Sequence, residues 1–335
     1  MTGTANNTLG ALIIVILILI TASCEKQTED IAPALKGEYL GQALPDTIPR
    51  IFAPGFISAG FNERDAAFSP DGQEFYFSIW LPLRKGVIMV SRQFDGQWTQ
   101  PQVASFSGKY SDTEPFITHD GSKLYYASNK PLDDESEAKD YDIWYVERTQ
   151  TGWSNPINLG EPINSEQNEF YPALTISGTL YFTALNEKSE DIFRSELVDG
   201  KHAEPANLGD SINTKSGEFN SLISPDESYL IFSSFGRGDG SGGGDLYISF
   251  RDDNGVWTKA RNMGERFNNN RLDYCPALSP DGKYLFFTAS KIWPEFEKTR
   301  LKSYNDIETL HNSTRNGNSD IYWVDSKVIQ SFKPE

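Results

Sequence analysis

The sequence predicts an all-β fold, a five-bladed β-propeller of four-stranded blades, from three features that recur together. A turn close to Ser-Pro-Asp-Gly occurs five times, at residues 69–72, 118–121, 176–178, 224–227 and 279–282. An acidic residue stands eight positions before the Asp position of each turn, and an aromatic strand follows each turn. The copies are spaced by roughly 50 residues, a period typical of propeller blades rather than of short solenoid repeats.

Each copy provides four strands, named A to D from the centre of the ring outward. Strand A begins at the acidic residue, and strand B follows the turn. Strand C opens with Asp142, Asp191, Asp245 or Asp320 in four copies and with Gly86 in the first. Strand D is expected at the tryptophan segments that begin at Trp98, Trp153 and Trp257, with His202 in that position in the third copy. Aromatic and β-branched residues alternating with polar ones between Gly, Pro and Asp turns are the signature of such strands.

The fifth copy lacks a strand D, because no tryptophan segment follows Val324. Residues 50–55 lie just before the first strand A and are expected to supply the missing outer strand. That arrangement ties the two ends of the chain together and removes an exposed sheet edge. The alternative, a six-bladed ring, would need about 45 further residues of repeat.

The repeat resembles the TolB-like, WD-repeat-like propellers, whose pattern is an acidic residue, two residues, Pro, two residues and Ser-Pro-Asp-Gly. The match covers residues 63–324. The linkers Asn158-Leu159-Gly160, Asn207-Leu208-Gly209 and Asn262-Met263-Gly264, with Asn164, Asn213 and Asn268 four residues later, are similar to a lipoprotein branch of Bacteroidetes-type bacteria. The resemblance implies a binding module or scaffold rather than a particular activity.

The N-terminus predicts an exported lipoprotein. Residues 1–23 form a targeting segment, with an apolar run at residues 9–20 and small residues just before Cys24, which is the expected site of lipid attachment. Residues 24–48 would be a tether and residues 49–335 the propeller. The alternative is an uncleaved N-terminal anchor. Cys275 is the second of two cysteines, so a lipidated Cys24 leaves no pair for an internal disulfide.

The net charge and the expected localisation of the chain restrict the classes of partner that it can bind. A net charge of −17 argues against nucleic acid, because phosphate binding needs a basic surface. The chain is therefore expected to be a membrane-anchored lipoprotein of a bacterial envelope, facing the periplasm or the cell surface. We expect a monomer that meets the membrane only through its lipid and whose partner is an envelope protein or a glycan.

The acidic residues that open strand A are the first candidate ligand-binding group: Glu63, Asp112, Glu169, Glu218 and Asp273. They are expected at the end of the channel that carries the D-to-A and B-to-C loops, the usual ligand face of a propeller. Five carboxylates around one axis could bind a cationic group or Ca²⁺, although no cofactor is required. The alternative is that each carboxylate accepts backbone hydrogen bonds within its own blade.

The second candidate is the inserted loop at residues 290–319, between strands B and C of blade five. It is locally basic and aromatic in an acidic chain, and Trp293, Lys298 and Arg300 are its expected ligand contacts. Ser303 and Asp306 predict a capping box for a short helix that continues through His311. The loop is expected to touch the ligand or, alternatively, to plug the channel.

Enzymatic function has weaker support. The three histidines, His119, His202 and His311, are scattered, so the sequence suggests neither a histidine-rich metal centre nor a Ser-His-Asp set. No catalytic or metal-binding residue is therefore assigned. The alternative is a carboxylate-dependent, glycoside-active propeller that uses acids of the strand A group.

Overall fold

The computed structural model describes Met1 and residues 35–133, 137–185 and 189–334. The predicted signal peptide over residues 1–23 (apart from Met1), the lipid site at Cys24 and the first part of the tether lie outside these residues. None of the helices in the described ranges combines the length and the apolar character needed to cross a lipid bilayer.

Five small antiparallel sheets form the five predicted blades. The first strand, β1 (Arg50–Ile51), belongs to the last blade. Blade one contains β2 (Glu63–Phe68), β3 (Glu74–Leu81), β4 (Lys85–Phe94), β5 (Gln97–Trp98) and β6 (Gln102–Val103). Blade two contains β7 (Asp112–Ile117), β8 (Lys123–Ser128), β9 (Asp142–Thr149), β10 (Gly152–Trp153) and β11 (Ile157–Asn158).

The other three blades follow the same plan. Blade three contains β12 (Glu169–Leu174), β13 (Leu180–Leu185), β14 (Glu190–Ser195), the hairpin β15 (Leu197–Val198) and β16 (Lys201–His202), and β17 (Ala206–Asn207). Blade four contains β18 (Glu218–Ile223), β19 (Tyr229–Ser234), β20 (Asp245–Phe250) and β21 (Arg261–Asn262). Blade five contains β22 (Asp273–Leu278), β23 (Tyr284–Ile292), β24 (Asn316–Asp325) and β1. The helices are α1 (Pro294–Lys298) and α2 (Tyr304–His311), with 3₁₀ helices at Glu38–Gly41 and Ser326–Phe332.

Strand D differs from the sequence prediction in its position. Trp98 and Trp153 lie in short hairpin strands that pair with the end of strand C, and the strand that completes each blade begins after Pro101 or Pro156. Proline has no N–H to donate to a ladder, so it interrupts the outer strand at this point. The tryptophans therefore mark the C-to-D hairpin rather than strand D itself.

The ring closes as predicted. Strand β1 pairs with β24, with Arg50 opposite Trp323 and Ile51 opposite Tyr322. The Phe52 N–H then donates to the Ile321 carbonyl at 2.8 Å. Phe52 is fully buried, and its ring lies 5.2 Å from the rings of both Phe286 and Trp323. The N-terminal strand thus carries part of the core of blade five.

Residues 35–48 pack against blades one and five. The Trp98 backbone N–H donates to the Leu35 carbonyl and its indole N–H donates to the Gly37 carbonyl, both at 2.8 Å. The Tyr39 hydroxyl donates to Asp281 in the turn of blade five. The described part of the predicted tether is therefore bound along its length to the propeller.

The recurring asparagines stabilise the start of strand C. In blade two, the Asn164 side chain accepts from the Ile143 N–H and donates to the Ile143 carbonyl, while Asn158 donates to Asp142. Blades three and four repeat the pattern, with Asn213 on Ile192 and Asn268 on Leu246. These repeated motif residues satisfy buried backbone groups, which would otherwise cost about 1–3 kcal/mol each.

Candidate functional site

The five carboxylates that open strand A are all buried and bonded within their own blades. Each accepts the backbone N–H of the residue four positions before it, in the loop that enters the blade. The donors are Ala59, Gly108, Ser165, Thr214 and Asn269, for Glu63, Asp112, Glu169, Glu218 and Asp273 respectively. The alternative in which each carboxylate accepts backbone hydrogen bonds within its own blade accounts for all these bonds. A role of the five residues in ligand binding stays a prediction.

Burial also shifts the protonation of several of these carboxyls. It raises the pKa of Glu63, Glu169 and Asp273 to about 7. The pKa of Asp112 is raised for the same reason. A buried carboxyl that titrates near neutrality carries less charge than an exposed one, so this end of the channel attracts a cation less than the sequence suggests. In the described part of the chain, no group of three or more His, Cys, Asp or Glu residues is placed to hold a metal ion.

A different set of residues lies in the centre of the ring. Two positions after each acid, strand A contains a β-bulge, and the residue there has a positive φ of 48° to 62°. These residues are Asp65, Glu114, Tyr171, Asn220 and Cys275. A side chain with positive φ costs about 1–3 kcal/mol unless its surroundings hold it there, and such residues cluster at functional sites. The position is structurally equivalent in all five blades but differs in residue type.

Four of these residues surround Arg64 in a cluster named here the central polar cluster. The Arg64 guanidinium donates to Asp65 at 3.0 Å, to Glu114 at 2.6 Å and to the Cys275 sulfur at 3.2 Å. Asn220 donates to the same Glu114 oxygen at 3.0 Å. The cluster thus joins blades one, two, four and five at the axis of the ring.

Glu114 is the titratable centre of this cluster. Burial raises its pKa to about 7, opposed by the adjacent Arg64 cation and reinforced by the Asp65 charge. Its second oxygen accepts the Tyr171 backbone N–H at 2.8 Å. Burial also raises the pKa of the Cys275 thiol, which is therefore neutral at physiological pH.

A cavity of about 540 Å³ lies beside the cluster, at the end of the channel that carries the Ser-Pro-Asp-Gly turns. Glu114 and Tyr171 form part of its lining where it meets the cluster. Its wall includes the residue that follows the bulge in each blade: Ala66, Pro115, Pro172, Ser221 and Pro276. Turn residues from blades one, two, four and five surround its mouth, together with Gln330 of the C-terminal 3₁₀ helix.

Ser221 is the polar member of that wall. The residue is fully buried, and its hydroxyl has no hydrogen-bond partner among the described residues. A buried hydroxyl without a partner costs about 1–3 kcal/mol. The cavity therefore combines mostly apolar walls with an unsatisfied hydroxyl and one carboxyl of raised pKa, the usual composition of a small-molecule site.

The cavity lies at the end of the channel opposite to the expected ligand face. Sequence reasoning missed it because it examined the residues that repeat, whereas the channel residues are those that differ between copies. The signal was present: two and three positions after each acid, the five copies hold unlike residues within an otherwise regular strand. The positive φ that directs these residues to the axis is visible only in the structure.

The inserted loop lies at the other end. Helix α2 has the predicted capping box between Ser303 and Asp306. The base of the loop binds the segment before blade one, because the Asn316 and Asn318 side chains both donate to the Gly60 carbonyl. Trp293 is 37% exposed, with the Arg315 guanidinium 4.2 Å from its ring centroid.

Lys298 and Arg300 of the loop are exposed, and neither they nor Trp293 line the central cavity. Their predicted contact with a ligand would therefore occur at a separate surface.

No protein-family model and no curated protein matches the sequence. The similar solved structures include TolB from Acinetobacter baumannii, with 12% identity and a TM-score of 0.46 over 78% of this chain and 54% of that one. The present chain thus spans about half of that TolB. A putative TolB from Agrobacterium tumefaciens has 14% identity and a TM-score of 0.46, over 68% of this chain and 70% of that one.

An α-L-arabinofuranosidase from Podospora anserina, solved in complex with cellotriose, has 11% identity and a TM-score of 0.48 over 83% of this chain and 93% of that one. A TolB and an arabinofuranosidase are therefore similar to this chain to about the same degree. Likeness at this level does not choose between their functions, and the five-bladed fold rests on the sheets themselves.

Proposed function

We propose that the protein is a non-catalytic binding propeller of the bacterial cell envelope, anchored by lipid at Cys24, and that its ligand occupies the central cavity. The observation that carries the proposal is the mostly apolar cavity on the ring axis, with the buried Ser221 hydroxyl, which has no hydrogen-bond partner among the described residues, in its wall. The volume of about 540 Å³ falls in the usual range for ligand pockets, about 300–1,000 Å³.

The lining selects a ligand with an apolar body and one polar group. Proline and alanine side chains around the axis offer no hydrogen bonds, whereas the Ser221 hydroxyl does. An envelope protein could insert an apolar segment here, or a glycan could insert its least polar end. Both agree with the partner classes expected from the sequence.

A binding role is supported by the bonds of the central carboxylates. The two Asp65 oxygens accept from Arg64 on one side and from Thr113 and the Glu114 N–H on the other. Both Glu114 oxygens also accept protein donors. Acid–base catalysis requires a carboxyl within hydrogen-bond reach of the substrate, and these four oxygens are directed at the protein.

The second candidate, a glycoside-active propeller, is favoured by one observation: Glu114 lines the central cavity, and burial raises the pKa of its carboxyl. Its test is release of reducing sugar from neutral envelope polysaccharides by the wild-type protein and by Glu114→Gln. Release that is lost in Glu114→Gln would favour the enzyme. Equal, background release by both proteins would favour the binding propeller.

The binding role can be tested with a pair of matched serine variants. Thermal unfolding of the full-length protein in lipid nanodiscs is screened against muropeptides, envelope oligosaccharides and peptides of envelope proteins. A ligand of the folded state raises the Tm by mass action. Ser221→Ala should reduce that increase, whereas Ser233→Ala should retain it, because Ser233 is also buried, with no hydrogen-bond partner in the described part of the chain, but does not line the cavity.

Both variants remove an unsatisfied hydroxyl, so the Tm of the unliganded protein should stay the same or rise in each. An equal ligand-induced shift in wild type and Ser221→Ala would place the ligand outside the cavity. A screen in which no component raises the wild-type Tm would contradict the proposed binding role.

The envelope location rests on the sequence around Cys24. Cys24→Ser should prevent lipid attachment and release the protein from the membrane fraction, because one acyl anchor site is lost. Membrane association that persists in the variant, with residues 1–23 still present by mass spectrometry, would support the uncleaved anchor instead.

A further inference from the structure

The interface between blades two and three differs from its neighbours because it lacks a tryptophan. Between blades one and two, the Trp153 indole N–H donates to the Tyr76 hydroxyl at 2.8 Å, and the Arg148 guanidinium lies 3.8 Å from its ring centroid. Between blades three and four, Trp257 is 8% exposed and packs in a cluster with Tyr181. In blade three, His202 stands at the corresponding position.

A groove of about 860 Å³ occupies this interface, and His202 lines it. The imidazole cannot fill the space of an indole. The groove runs between strands B and C of blade two and strand A of blade three, and the β15–β16 hairpin borders its outer side. The absence of an indole therefore explains why this interface is open.

Two polar groups in the groove have no protein partner in the described ranges. One is the buried Nδ1 of His202. The other is the hydroxyl of Tyr125, which stands in strand B where Tyr76 and Tyr181 stand in blades one and three. Tyr76 accepts from Trp153 and Tyr181 donates to Glu227, but no such bond joins Tyr125 to blade three. Burial raises the pKa of Tyr125 to about 12 and lowers that of His202, so both are neutral at pH 7.

The groove also contains a second break in the repeat. The turn of blade two has His119 where three other turns have Pro, and its Nε2 lies 3.0 Å from the Leu174 carbonyl. The half-buried Tyr145 ring stacks obliquely on Tyr125, with 5.4 Å between centroids, and Lys123 lies 4.4 Å from the Tyr145 centroid. The rim carries charges of both signs, with Lys123 and Lys201 balanced by Asp120 and Glu161.

We propose that this inter-blade groove is a second binding site and that its ligand is an uncharged saccharide. The C–H face of a sugar ring packs well on an aromatic ring such as Tyr145. Sugar hydroxyls both donate and accept, which suits the neutral Tyr125 hydroxyl and the neutral His202 imidazole. The balanced charge of the rim gives no preference for an ionic ligand. The site is independent of the proposed role of the central cavity.

The test uses calorimetric titration of the full-length protein in lipid nanodiscs with neutral hexose and N-acetylhexosamine oligosaccharides. His202→Trp restores the indole of the other interfaces, so it should raise the Tm and abolish saccharide binding. Tyr145→Ala should weaken binding by about tenfold through loss of the stacking surface. Ser221→Ala, which changes only the central cavity, should bind the saccharide with wild-type affinity.

Lack of binding by every oligosaccharide to the wild-type protein would overturn the proposal, as would unchanged affinity in both His202→Trp and Tyr145→Ala. Loss of saccharide binding in Ser221→Ala alone would assign the sugar to the central cavity and also overturn the inter-blade site. A failure here leaves the ligand-induced Tm shift of the central cavity unaffected, so the two proposals are judged separately.

Discussion

At the scale of single residues, strand A contains two kinds of position. The acid that opens the strand is alike in every blade and binds its own loop. The bulge residue two positions later differs in every blade and lies at the axis. An interaction that recurs in every blade stabilises the repeated structure. A position whose residue type differs between blades, while its backbone conformation stays the same, can instead contribute to a site.

The buried acids should make stability fall as the pH rises. Burial raises the pKa of Glu63 to about 7 from 4.5 and that of Asp273 to about 7 from 3.8. Between these values the folded state binds more protons than the unfolded state, so the free energy of unfolding decreases with increasing pH. The Tm should therefore drop between about pH 5 and about pH 8.

Glu63→Gln should reduce this pH dependence, because the amide stays neutral and keeps the oxygen that accepts from Ala59 and Phe61. Calorimetric Tm values across the pH range provide the check. A Tm that rises steadily from pH 5 to pH 8 in the wild type would show that the raised pKa values are not those of the folded protein.

Removing the cation of the central polar cluster should strongly reduce the stability of the protein. Arg64→Met leaves Asp65 and Glu114 buried without their cation, which should reduce the free energy of unfolding by roughly 3–5 kcal/mol. Arg50→Met is the matched control, because Arg50 also pairs with a carboxylate, Asp46, but is 50% exposed and should lose about 1 kcal/mol or less. Urea denaturation measures both, and equal losses would contradict the structural role of the cluster.

At the scale of elements, sequence patterns predicted strands and turns well and the outer strand less well. The acidic residues that open strand A, the turns and the Asp that opens strand C predicted strands A to C correctly. These signals are local, because they arise from the alternation of residues along a strand and from turn chemistry. The tryptophans suggested strand D but mark a hairpin, since Pro101 and Pro156 interrupt the ladder after them. The central cavity could not be predicted, because it depends on bulges that bring five distant segments to one axis.

The closing strand should contribute strongly to stability. Phe52→Ala empties a fully buried position among Phe286 and Trp323, and its cost should be about 3–5 kcal/mol. Phe94→Ala removes the same ring from a position that is 63% exposed and should change stability by about 0.5 kcal/mol or less. Urea unfolding of the two variants compares them directly. A small loss in Phe52→Ala would show that the ring is held closed by other elements.

The inserted loop should be dispensable for folding. Replacing residues 294–312 with a Gly-Asn turn keeps Asn316 and Asn318 on Gly60 and leaves the blade strands intact, and loop length costs little stability. The Tm should therefore change little. If Lys298 and Arg300, which the replacement removes, contact a partner, pull-down of that partner from envelope extract should fall sharply. Equal recovery by wild type and the shortened protein would remove the loop from the binding surface.

At the scale of the whole molecule, the two ends of the channel are built differently. One end carries the mostly apolar cavity among the Ser-Pro-Asp-Gly turns, and the other carries the basic, aromatic inserted loop. The central polar cluster lies between them and joins the blades across the axis. The two ends of the channel therefore present chemically different surfaces.

The most direct test of the central claim is a crystal structure of the protein with the component that gives the largest Tm shift. The account predicts difference density in the central cavity, among Ala66, Pro172 and Pro276, with a polar atom of the ligand within hydrogen-bond distance of the Ser221 hydroxyl. A ligand bound on the inserted loop, with the central cavity filled only by solvent, would contradict it.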